Sequence, residues 1–386
     1  MIRGYDGVVV AAPVTIPYER YSVHGAHHWL GRALHGLLQT AHLAPQDLDG
    51  LCVSSFTLGS DTAVGLTQHF GLSPRWLDHI PMGGASGVVA LRRAARAVQA
   101  GDADIIACVA GDTNAPDSFR ATVAGFSRFT IDAAIPYGAG GPNAAFALLT
   151  DAYMRATGAT REDFGRIAVS QRDNARGFPH ALLRAPLSME QYLSARMVAD
   201  PVALFDCVMP CAGAESVLVM REPTAKSLGL AYAHVRGAIE RHNAFPDDPI
   251  QLRGGWAMDR DALYAMAATT PDGIGLLQTY DDYPVIVMLQ LEGLGFCAQG
   301  EGPEFVRSHD LRVAGTFPHN SSGGQLSGGQ AGAAGGYLGL TDAIRQLTRL
   351  ALGPQIPNLQ RALVSGFGMI NYDRGLCSGA VILEAA

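Results

Sequence analysis

HNSSGGQLSGGQAGAAGG, at residues 319–336, is the stretch that decides how this chain is interpreted. Seven of the 17 residues from Asn320 to Gly336 are glycine, and a run with helical periodicity follows directly. Glycine lets the backbone adopt positive φ and lets its N–H groups approach a ligand closely. A helix that begins here would direct its free N–H groups and the positive end of its dipole towards the loop. The pattern favours a cradle for a phosphate, a carboxylate or a thioester enolate, and the alternative is a tightly packed connection without a ligand.

Length and composition limit the class of protein. The 386 residues are enough for two domains or one large fused core, and 48% of them are hydrophobic while 16% are charged. The formal net charge of −7 argues against nucleic acid or an anionic membrane surface as the main partner. We find no apolar run near the ~18 residues that cross a bilayer, and no signal peptide. Six scattered cysteines do not form a disulfide framework, so we expect a cytoplasmic protein.

One order of elements occurs twice along the chain. The first copy is a Gly-rich turn at 82–87, a helix, and an apolar strand at 104–110. The second copy is the turn at 328–332, a helix, and a strand at 361–364. Such a repeat predicts an internal duplication, in which two halves pack about a pseudo-twofold axis and the two Gly-rich turns meet at the centre.

Alternating strands and helices in both copies predict an α/β architecture. We assign residues 1–225 to an N-terminal half and residues 226–386 to a C-terminal half. Residues 113–201 are richer in Pro, Gly, Arg and aromatic residues, and we expect them to form a lid or a substrate-facing insertion. Further strands are predicted at 6–12, 48–56, within 206–220, and at 231–239 and 275–279. Further helices are predicted at 24–42, 61–70, 161–177, 259–268 and 283–294.

Taken in order, several motifs resemble those of the thiolase superfamily, especially its sterol-carrier-protein-x and lipid-transfer aldolase branch, over essentially the whole chain. The motifs are NSSGG at 320–324, GQ at 329–330, AAGG at 333–336, SGVVALRRAARAVQAGDADIIACVAGD at 86–112, FDC at 205–207, LEGLGFCAQGEGPEF at 291–305 and SGAVIL at 378–383. The resemblance implies two duplicated α/β halves that form a layered α-β-α-β-α core, with an inserted loop domain.

All four positions at which a thiolase carries its catalytic side chains are altered in this chain. By resemblance, Gly84 stands in place of the nucleophilic Cys, and Ser365 in place of the second Cys. Gln330 stands in place of a His, and Tyr280 in place of an Asn or a His. Because glycine has no side chain to acylate, thiolysis or Claisen condensation through an acyl-cysteine is excluded at residue 84.

Tyr280 is the candidate base. The lipid-transfer aldolase branch also lacks the cysteine and carries a Tyr at this position, which implies retro-aldol cleavage of a β-hydroxyacyl-CoA. A phenol titrates near pH 10, so this role requires a lowered pKa or a proton relay. Asp281 and Asp282 are placed to orient Tyr280, although their charge would raise its pKa. The alternative is a tyrosine at a strand end that bonds a backbone carbonyl. That branch also has a second Tyr in the Gly-rich loop, where this chain has Gln330.

The resemblance implies three catalytic residues and a set of residues that bind the thioester. The catalytic residues are Tyr280, Asn320 and Gln330. The substrate-binding residues are Gly84, Ser86, His319, Gly323, Gly324, Ser365 and Gly366. Asn320 keeps the family's water-holding or carbonyl-polarising position. The backbone N–H groups near Gly84 and Gly366 are expected to form an oxyanion hole, in which one donor is worth about 3 kcal/mol.

The sequence leaves three functions open. A carbon–carbon lyase is favoured over an acyltransferase that uses another nucleophile or a partner, and over a non-catalytic scaffold of thiolase fold. The resemblance implies an acyl-CoA substrate, no metal, no cofactor beyond the coenzyme A of the substrate, a homodimer, and a small partner with a zinc ribbon and an OB-fold. The thiols of Cys207, Cys211 and Cys377 are expected to be inert. The aromatic residues Phe119, Phe126, Phe129, Tyr137 and Phe178 are expected to line the acyl pocket, or else to form lid core or a dimer interface.

Overall fold

The computed structural model describes residues 4–59, 62–115, 131–139, 141–371 and 374–386. Its strands are β1 Val8–Glu19, β2 Gly50–Ser54, β3 Trp76–His79, β4 Ile105–Asp112, β5 Met197–Ala199, β6 Val202–Ala203, β7 Ala212–Arg221, β8 Tyr232–His242, β9 Leu276–Gln278, β10 Arg361–Asn371 and β11 Arg374–Ala385. Its helices are α1 Ala26–Ala41, α2 Ala63–Phe70, α3 Ser86–Ala100, α4 Gly141–Thr157, α5 Arg161–Arg176, α6 Met189–Leu193, α7 Glu222–Ser227, α8 Trp256–Ala267, α9 Pro284–Gly293, α10 Gly302–Ser308, α11 Gly324–Gly328 and α12 Gly335–Leu347. Within these ranges, no helix has both the length and the apolarity needed to cross a membrane.

Nine of the described strands form one mixed sheet in the order β3-β2-β4-β7-β1-β8-β11-β10-β9. In the N-terminal half-sheet, β3, β2 and β4 are parallel, and β7 and β1 follow antiparallel. In the C-terminal half-sheet, β9 and β10 are parallel, and β11 and β8 follow antiparallel. The half-sheets join where β1 pairs with β8. This repeated strand order confirms the predicted duplication, and the boundary at residue 225 stays a prediction.

Two glycine-rich helix starts meet in the middle of the molecule. The helices α3 and α12 each contact strands of both half-sheets, and nearly all of α12 is buried. A Cβ atom on Gly87 would overlap the carbonyl oxygen of Gly336, and one on Gly336 would lie 2.6 Å from the carbonyl oxygen of Gly83. Glycine is required because any side chain would collide with the facing backbone. The two Gly-rich turns therefore meet at the centre, as predicted.

Three clusters of buried apolar side chains follow the layers. The central cluster packs α3 and α12 between inward-facing residues of both half-sheets. A second cluster lies between the N-terminal half-sheet and the outer helices α1, α2 and α7. The third lies between the C-terminal half-sheet and α8 and α9, together with α4 and α5 of the insertion. Each layer buries an apolar face against the next, which confirms the α-β-α-β-α order.

The described part of the insertion is largely helical, and its helix α5 supports the Gly-rich loop. The Asn174 amide donates a hydrogen bond to the His319 carbonyl oxygen at 2.8 Å, and Arg172 Nε donates one to Ser327 Oγ at 3.0 Å. Gly323 has a φ of 92°, and a Cβ atom there would lie 2.5 Å from the Cβ of Ala175. The contacts with α5 and the positive φ of Gly323 therefore fix the conformation of the Gly-rich loop.

Of the five aromatic residues expected to line the acyl pocket, two lie in the described part of the chain, and neither lines the cavity between the two halves. Tyr137 is 87% exposed, and Phe178 is buried in the central cluster. The other three, Phe119, Phe126 and Phe129, lie outside the described residues.

Candidate active site

A cavity of about 390 Å³ lies where the two halves and the insertion meet. The turn before α3 and the segment after β4 contribute to it from the N-terminal half, and the segment after β9 contributes from the C-terminal half. The insertion adds Asn143, Phe146, Arg196 and Val198, so it lines the cavity as expected. Tyr280, Asp282 and Gln330 are polar members of the lining.

The ring of Tyr280 occupies the place that a side chain on residue 84 would need. A Cβ atom on Gly84 would overlap three atoms of the Tyr280 ring, and both residues line the cavity. Tyr280 is the second residue after β9, and its backbone N–H donates to the Ser365 carbonyl oxygen on β10 at 3.1 Å. Gly84 is therefore more than a missing nucleophile, because its lack of a side chain makes room for the phenol.

The Tyr280 hydroxyl is held as a protonated phenol at neutral pH. Gln330 Nε2 donates a hydrogen bond to the hydroxyl oxygen at 3.1 Å. Burial, followed by the charge of Asp282, raises the pKa of Tyr280 well above its ordinary value, while the Gln330 hydrogen bond acts in the opposite direction. Tyr280 is thus no free phenolate, and to act as a base it must pass its own proton to a second group.

Asp282 is suited to accept that proton. Its carboxyl group lines the cavity and interacts with the Tyr280 hydroxyl. Burial raises the pKa of Asp282 to about 7, against the lowering effect of Tyr280. Its Oδ1 atom has no hydrogen-bond partner among the described residues. A carboxyl group with this pKa exchanges a proton near neutral pH, as a general base must.

The neighbouring Asp281 has a different role, at the start of α11. Its Oδ1 accepts a hydrogen bond from the Gln325 backbone N–H at 2.8 Å, and its Oδ2 accepts one from that of Leu326 at 3.1 Å. Gly324 has a φ of 60°, and a Cβ atom there would overlap Oδ2 of Asp281. The Gly-rich loop therefore binds a carboxyl group, and that group is the protein's own Asp281 side chain.

Known proteins have sequences similar to that of this chain. A family model described as thiolase C-terminal domain-like matches residues 252–377. A steroid side-chain-cleaving aldolase of Thermomonospora curvata is 28% identical over 82% of this chain and 83% of its own length. A 17-hydroxy-3-oxo-4-pregnene-20-carboxyl-CoA lyase of Mycobacterium tuberculosis is 27% identical over 85% of this chain and 88% of its own length. Residues 252–377 thus resemble a thiolase C-terminal domain, and most of the chain is similar in sequence to this aldolase and this lyase.

Two solved structures show how widely the fold is shared. An Ltp2-ChsH2(DUF35) aldolase superimposes with a TM-score of 0.84 at 24% identity and covers 98% of both chains. An acetyl-CoA acetyltransferase from Syntrophomonas wolfei superimposes with a TM-score of 0.73 at 15% identity and covers 100% of both chains. An aldolase and an acyltransferase therefore share this fold, and the side chains at the site must decide the chemistry.

Asn320 and His319 are not among the described residues that line the cavity, and their predicted roles in the reaction stay predictions. Asn320 is 1% exposed and has a φ of 42°, and its Oδ1 accepts a hydrogen bond from the Thr279 backbone N–H at 2.8 Å. His319 Nε2 lies 2.8 Å from Thr279 Oγ1, and burial lowers the pKa of His319 to about 3, which keeps the imidazole neutral. Both side chains hold the chain just after β9, so they fix the backbone from which Tyr280 projects.

Of the seven residues expected to bind the thioester, Gly84 is the one found among the described residues that line the cavity. The Ser86 hydroxyl bonds two backbone groups of the preceding turn, at 3.0 and 3.1 Å, and so fixes the start of α3. A Cβ atom on Gly366 would lie 2.7 Å from the Gly84 carbonyl oxygen, so this glycine lets β10 pack directly on the turn. Ser86 and Gly366 therefore support the turn that carries Gly84, and the predicted part of these residues in thioester binding stays a prediction.

Two polar residues at the site were missed by sequence reasoning. Asp112, at the end of β4, lines the cavity and accepts hydrogen bonds from the backbone N–H groups of Thr57 and Ala333, both at 2.7 Å. It thereby ties the two halves together. Gln290, in the buried helix α9, accepts a hydrogen bond from Ser365 Oγ at 2.7 Å. A lone acid at a strand end and an amide in an apolar helix were the available signals.

The cysteine thiols near the site are not activated. Cys207 and Cys211 line the cavity, and Cys377 is buried in the central cluster. Burial raises the pKa of Cys207 and that of Cys377 to about 12, and raises the pKa of Cys211 as well. The nucleophilic form of cysteine is the thiolate, so these protonated thiols do not replace the missing nucleophile at residue 84.

Proposed function

We propose that this protein catalyses the retro-aldol cleavage of a β-hydroxyacyl-CoA thioester, or the reverse aldol addition, without an acyl-enzyme. The observation that carries the proposal is the Tyr280 ring, which occupies the place of the side chain that a thiolase would acylate at residue 84. A retro-aldol reaction needs a base for the β-hydroxyl group and donors for the thioester oxygen, and it needs no nucleophile. The names of the aldolase of Thermomonospora curvata and the lyase of Mycobacterium tuberculosis support the same class of reaction.

The proposed proton path runs through Tyr280 to Asp282. Tyr280 takes the proton of the substrate's β-hydroxyl group while it passes its own proton to the Asp282 carboxylate. The Cα–Cβ bond breaks, Cβ becomes a carbonyl carbon, and the electron pair moves into the thioester as an enolate. The proton then returns from Asp282 through Tyr280 to Cα, which gives a ketone or aldehyde and a shorter acyl-CoA. Gln330 stabilises the negative charge that develops on the Tyr280 oxygen.

The donors for the enolate oxygen are part of the proposal. The backbone N–H groups near Gly84 and Gly366 are the preferred donors, because Gly84 lines the cavity and Gly366 packs directly on it. One such donor contributes about 3 kcal/mol of transition-state stabilisation in acyl-transfer enzymes. Asn320 is the weaker candidate, because it is buried and is not among the described residues that line the cavity.

We also propose a homodimer in the cytoplasm that works with a small zinc-ribbon and OB-fold partner. The solved Ltp2-ChsH2(DUF35) aldolase, named for two components, supports a search for such a partner. The scheme above uses no cofactor other than the coenzyme A of the substrate. Size-exclusion chromatography with light scattering tests the dimer, and co-purification with a DUF35 protein tests the partner.

The central test is turnover of defined thioesters. The purified chain, alone and with a DUF35 protein, is incubated with 17-hydroxy-3-oxo-4-pregnene-20-carboxyl-CoA and with linear β-hydroxyacyl-CoA thioesters. We expect equimolar formation of a ketone or aldehyde and a shorter acyl-CoA, with no added mass on the protein. A stable acyl adduct after incubation with acetyl-CoA would instead support an acyltransferase. Absence of turnover on the whole panel, with partner present, would support a scaffold.

The proposed role of Asp282 predicts how activity depends on pH. Its pKa is raised to about 7, and the base must be deprotonated, so kcat/KM should fall about tenfold per pH unit below 7 and level off above it. The Asp281 pKa is raised to about 7 as well, so the wild-type profile alone does not assign the group. In Asp282→Asn we expect both a lower rate and no acidic limb. An unchanged acidic limb in that variant would exclude Asp282 as the base.

A further inference from the structure

The helix α9 carries a buried amide that the proposed reaction does not use directly. Gln290 is fully buried, and the five residues from Val285 to Leu289 that precede it are apolar and buried. A buried polar side chain is unfavourable unless its hydrogen bonds are made. The hydrogen bonds of Gln290 must therefore offset the cost of burying its amide.

The partners of Gln290 lie on the backbone of Tyr280 and on β10. Gln290 Nε2 donates to the Tyr280 carbonyl oxygen at 2.6 Å and to the Ile286 carbonyl oxygen at 2.7 Å. Its Oε1 accepts from the Tyr280 backbone N–H at 3.2 Å and from Ser365 Oγ at 2.7 Å. One side chain thus bonds both peptide groups of Tyr280 and uses its full capacity of two donors and two acceptors.

Ser365 completes this arrangement from β10. Its carbonyl oxygen accepts from the Tyr280 backbone N–H at 3.1 Å, and its hydroxyl group orients the Gln290 amide. Without the Ser365 hydroxyl, Gln290 Oε1 would lose the shorter of its two hydrogen bonds and keep the one from the Tyr280 backbone N–H. Ser365 does not line the cavity among the described residues, so its hydroxyl acts on Tyr280 and not on substrate.

The position of the Tyr280 ring is tightly constrained. It lies against the bare backbone of Gly84 on one side, while its hydroxyl must stay within reach of Gln330 and Asp282. A displacement of about 1 Å of a reacting group can lower a rate by about 100-fold. We infer that Gln290 and Ser365 are positioning residues that set the place of Tyr280, and this inference rests on the function proposed above.

Ser365→Ala tests the inference with little disturbance of packing. We expect kcat to fall about tenfold while KM stays within about twofold, because the substrate pocket is unchanged and the tyrosine is misplaced. In Ser365→Cys, whose thiol is a weak donor, we expect a smaller fall. Ser216→Ala is the matched control. Ser216 is also fully buried, and its hydroxyl donates to the Ala33 carbonyl oxygen at 3.2 Å, far from Tyr280 in the sequence and the sheet.

A double-mutant cycle separates positioning from general support of the fold. In a Tyr280→Phe background, Ser365→Ala should lower the residual kcat by less than about twofold, because no hydroxyl group remains to be placed. An equal fall in both backgrounds would overturn the inference. If Tyr280→Phe loses activity and Ser365→Ala keeps it, positioning by Ser365 is wrong while the proposed function stands.

A structural readout makes the test independent of turnover. In a crystal structure of wild type we expect the 3.1 Å distance between Gln330 Nε2 and the Tyr280 hydroxyl, and in Ser365→Ala a distance beyond hydrogen-bonding range. A Tyr280 side chain in the same place in both crystals would overturn the inference, whatever reaction the protein catalyses.

Discussion

Tyr280→Phe should lower kcat by at least about 100-fold and leave KM nearly unchanged. General acid–base groups contribute about 10²–10⁴-fold, and this substitution removes the oxygen while keeping the ring that fills the space beside Gly84. The fold should therefore persist, with a melting temperature close to that of wild type. The measurement is steady-state release of the shorter acyl-CoA from the thioester that wild type cleaves best.

The matched control for this experiment is Tyr264→Phe. Tyr264 is also buried, and its hydroxyl donates to the Leu294 carbonyl oxygen at 2.9 Å, outside the cavity lining. The substitution Tyr264→Phe should lower the free energy of unfolding by about 1 kcal/mol and leave the activity unchanged. Full activity in Tyr280→Phe would show that the β-hydroxyl proton leaves by another route, and Asp282 acting alone would then be the next group to test.

Much of the fold could be predicted from sequence patterns, because the strongest signals are local. The helix predicted at 161–177 is α5, and the strand predicted at 104–110 is most of β4. The edge strand β3 was missed because its four residues are too few for a periodic pattern. The short helix α7 was also missed, although Pro223 at its start is a typical first-turn residue.

The candidate site was harder to predict, since its chemistry depends on contacts between distant segments. Gly84 and Tyr280 belong to different halves, so the filling of one position by the other becomes visible only in the packed molecule. Asp281 and Asp282 are adjacent, yet one binds backbone N–H groups of the loop and the other interacts with the phenol. Sequence reasoning treated them as equivalent, because it cannot tell to which side each side chain projects where β9 ends.

The position of Gly84 predicts that restoring the thiolase nucleophile will not restore a thiolase. In Gly84→Cys, the new Cβ atom would overlap the Tyr280 ring, so either the ring or the turn before α3 must move. Overpacking of this kind costs about 1–3 kcal/mol of stability, and a displaced phenol should lower lyase activity by about 100-fold. We expect no acyl adduct after incubation with acetyl-CoA, because Gln330 cannot serve as the base that activates the thiol.

Gly84→Ala isolates the steric part of this prediction. Gly84→Ala should show most of the loss of stability and of lyase activity expected for Gly84→Cys. Gly65→Ala is the control, because Gly65 lies on the helix α2 with no atom within 4 Å of the new methyl group, and this variant should keep full activity. Combining Gly84→Ala with Tyr280→Ala removes the collision, so the loss of stability should be smaller than the sum of the two single losses, while activity stays lost. Unaltered activity in Gly84→Ala would mean that the ring has free space elsewhere in the cavity. The glycine at residue 84 would then reflect only the loss of the nucleophile, and it would not be needed to make room for the Tyr280 ring.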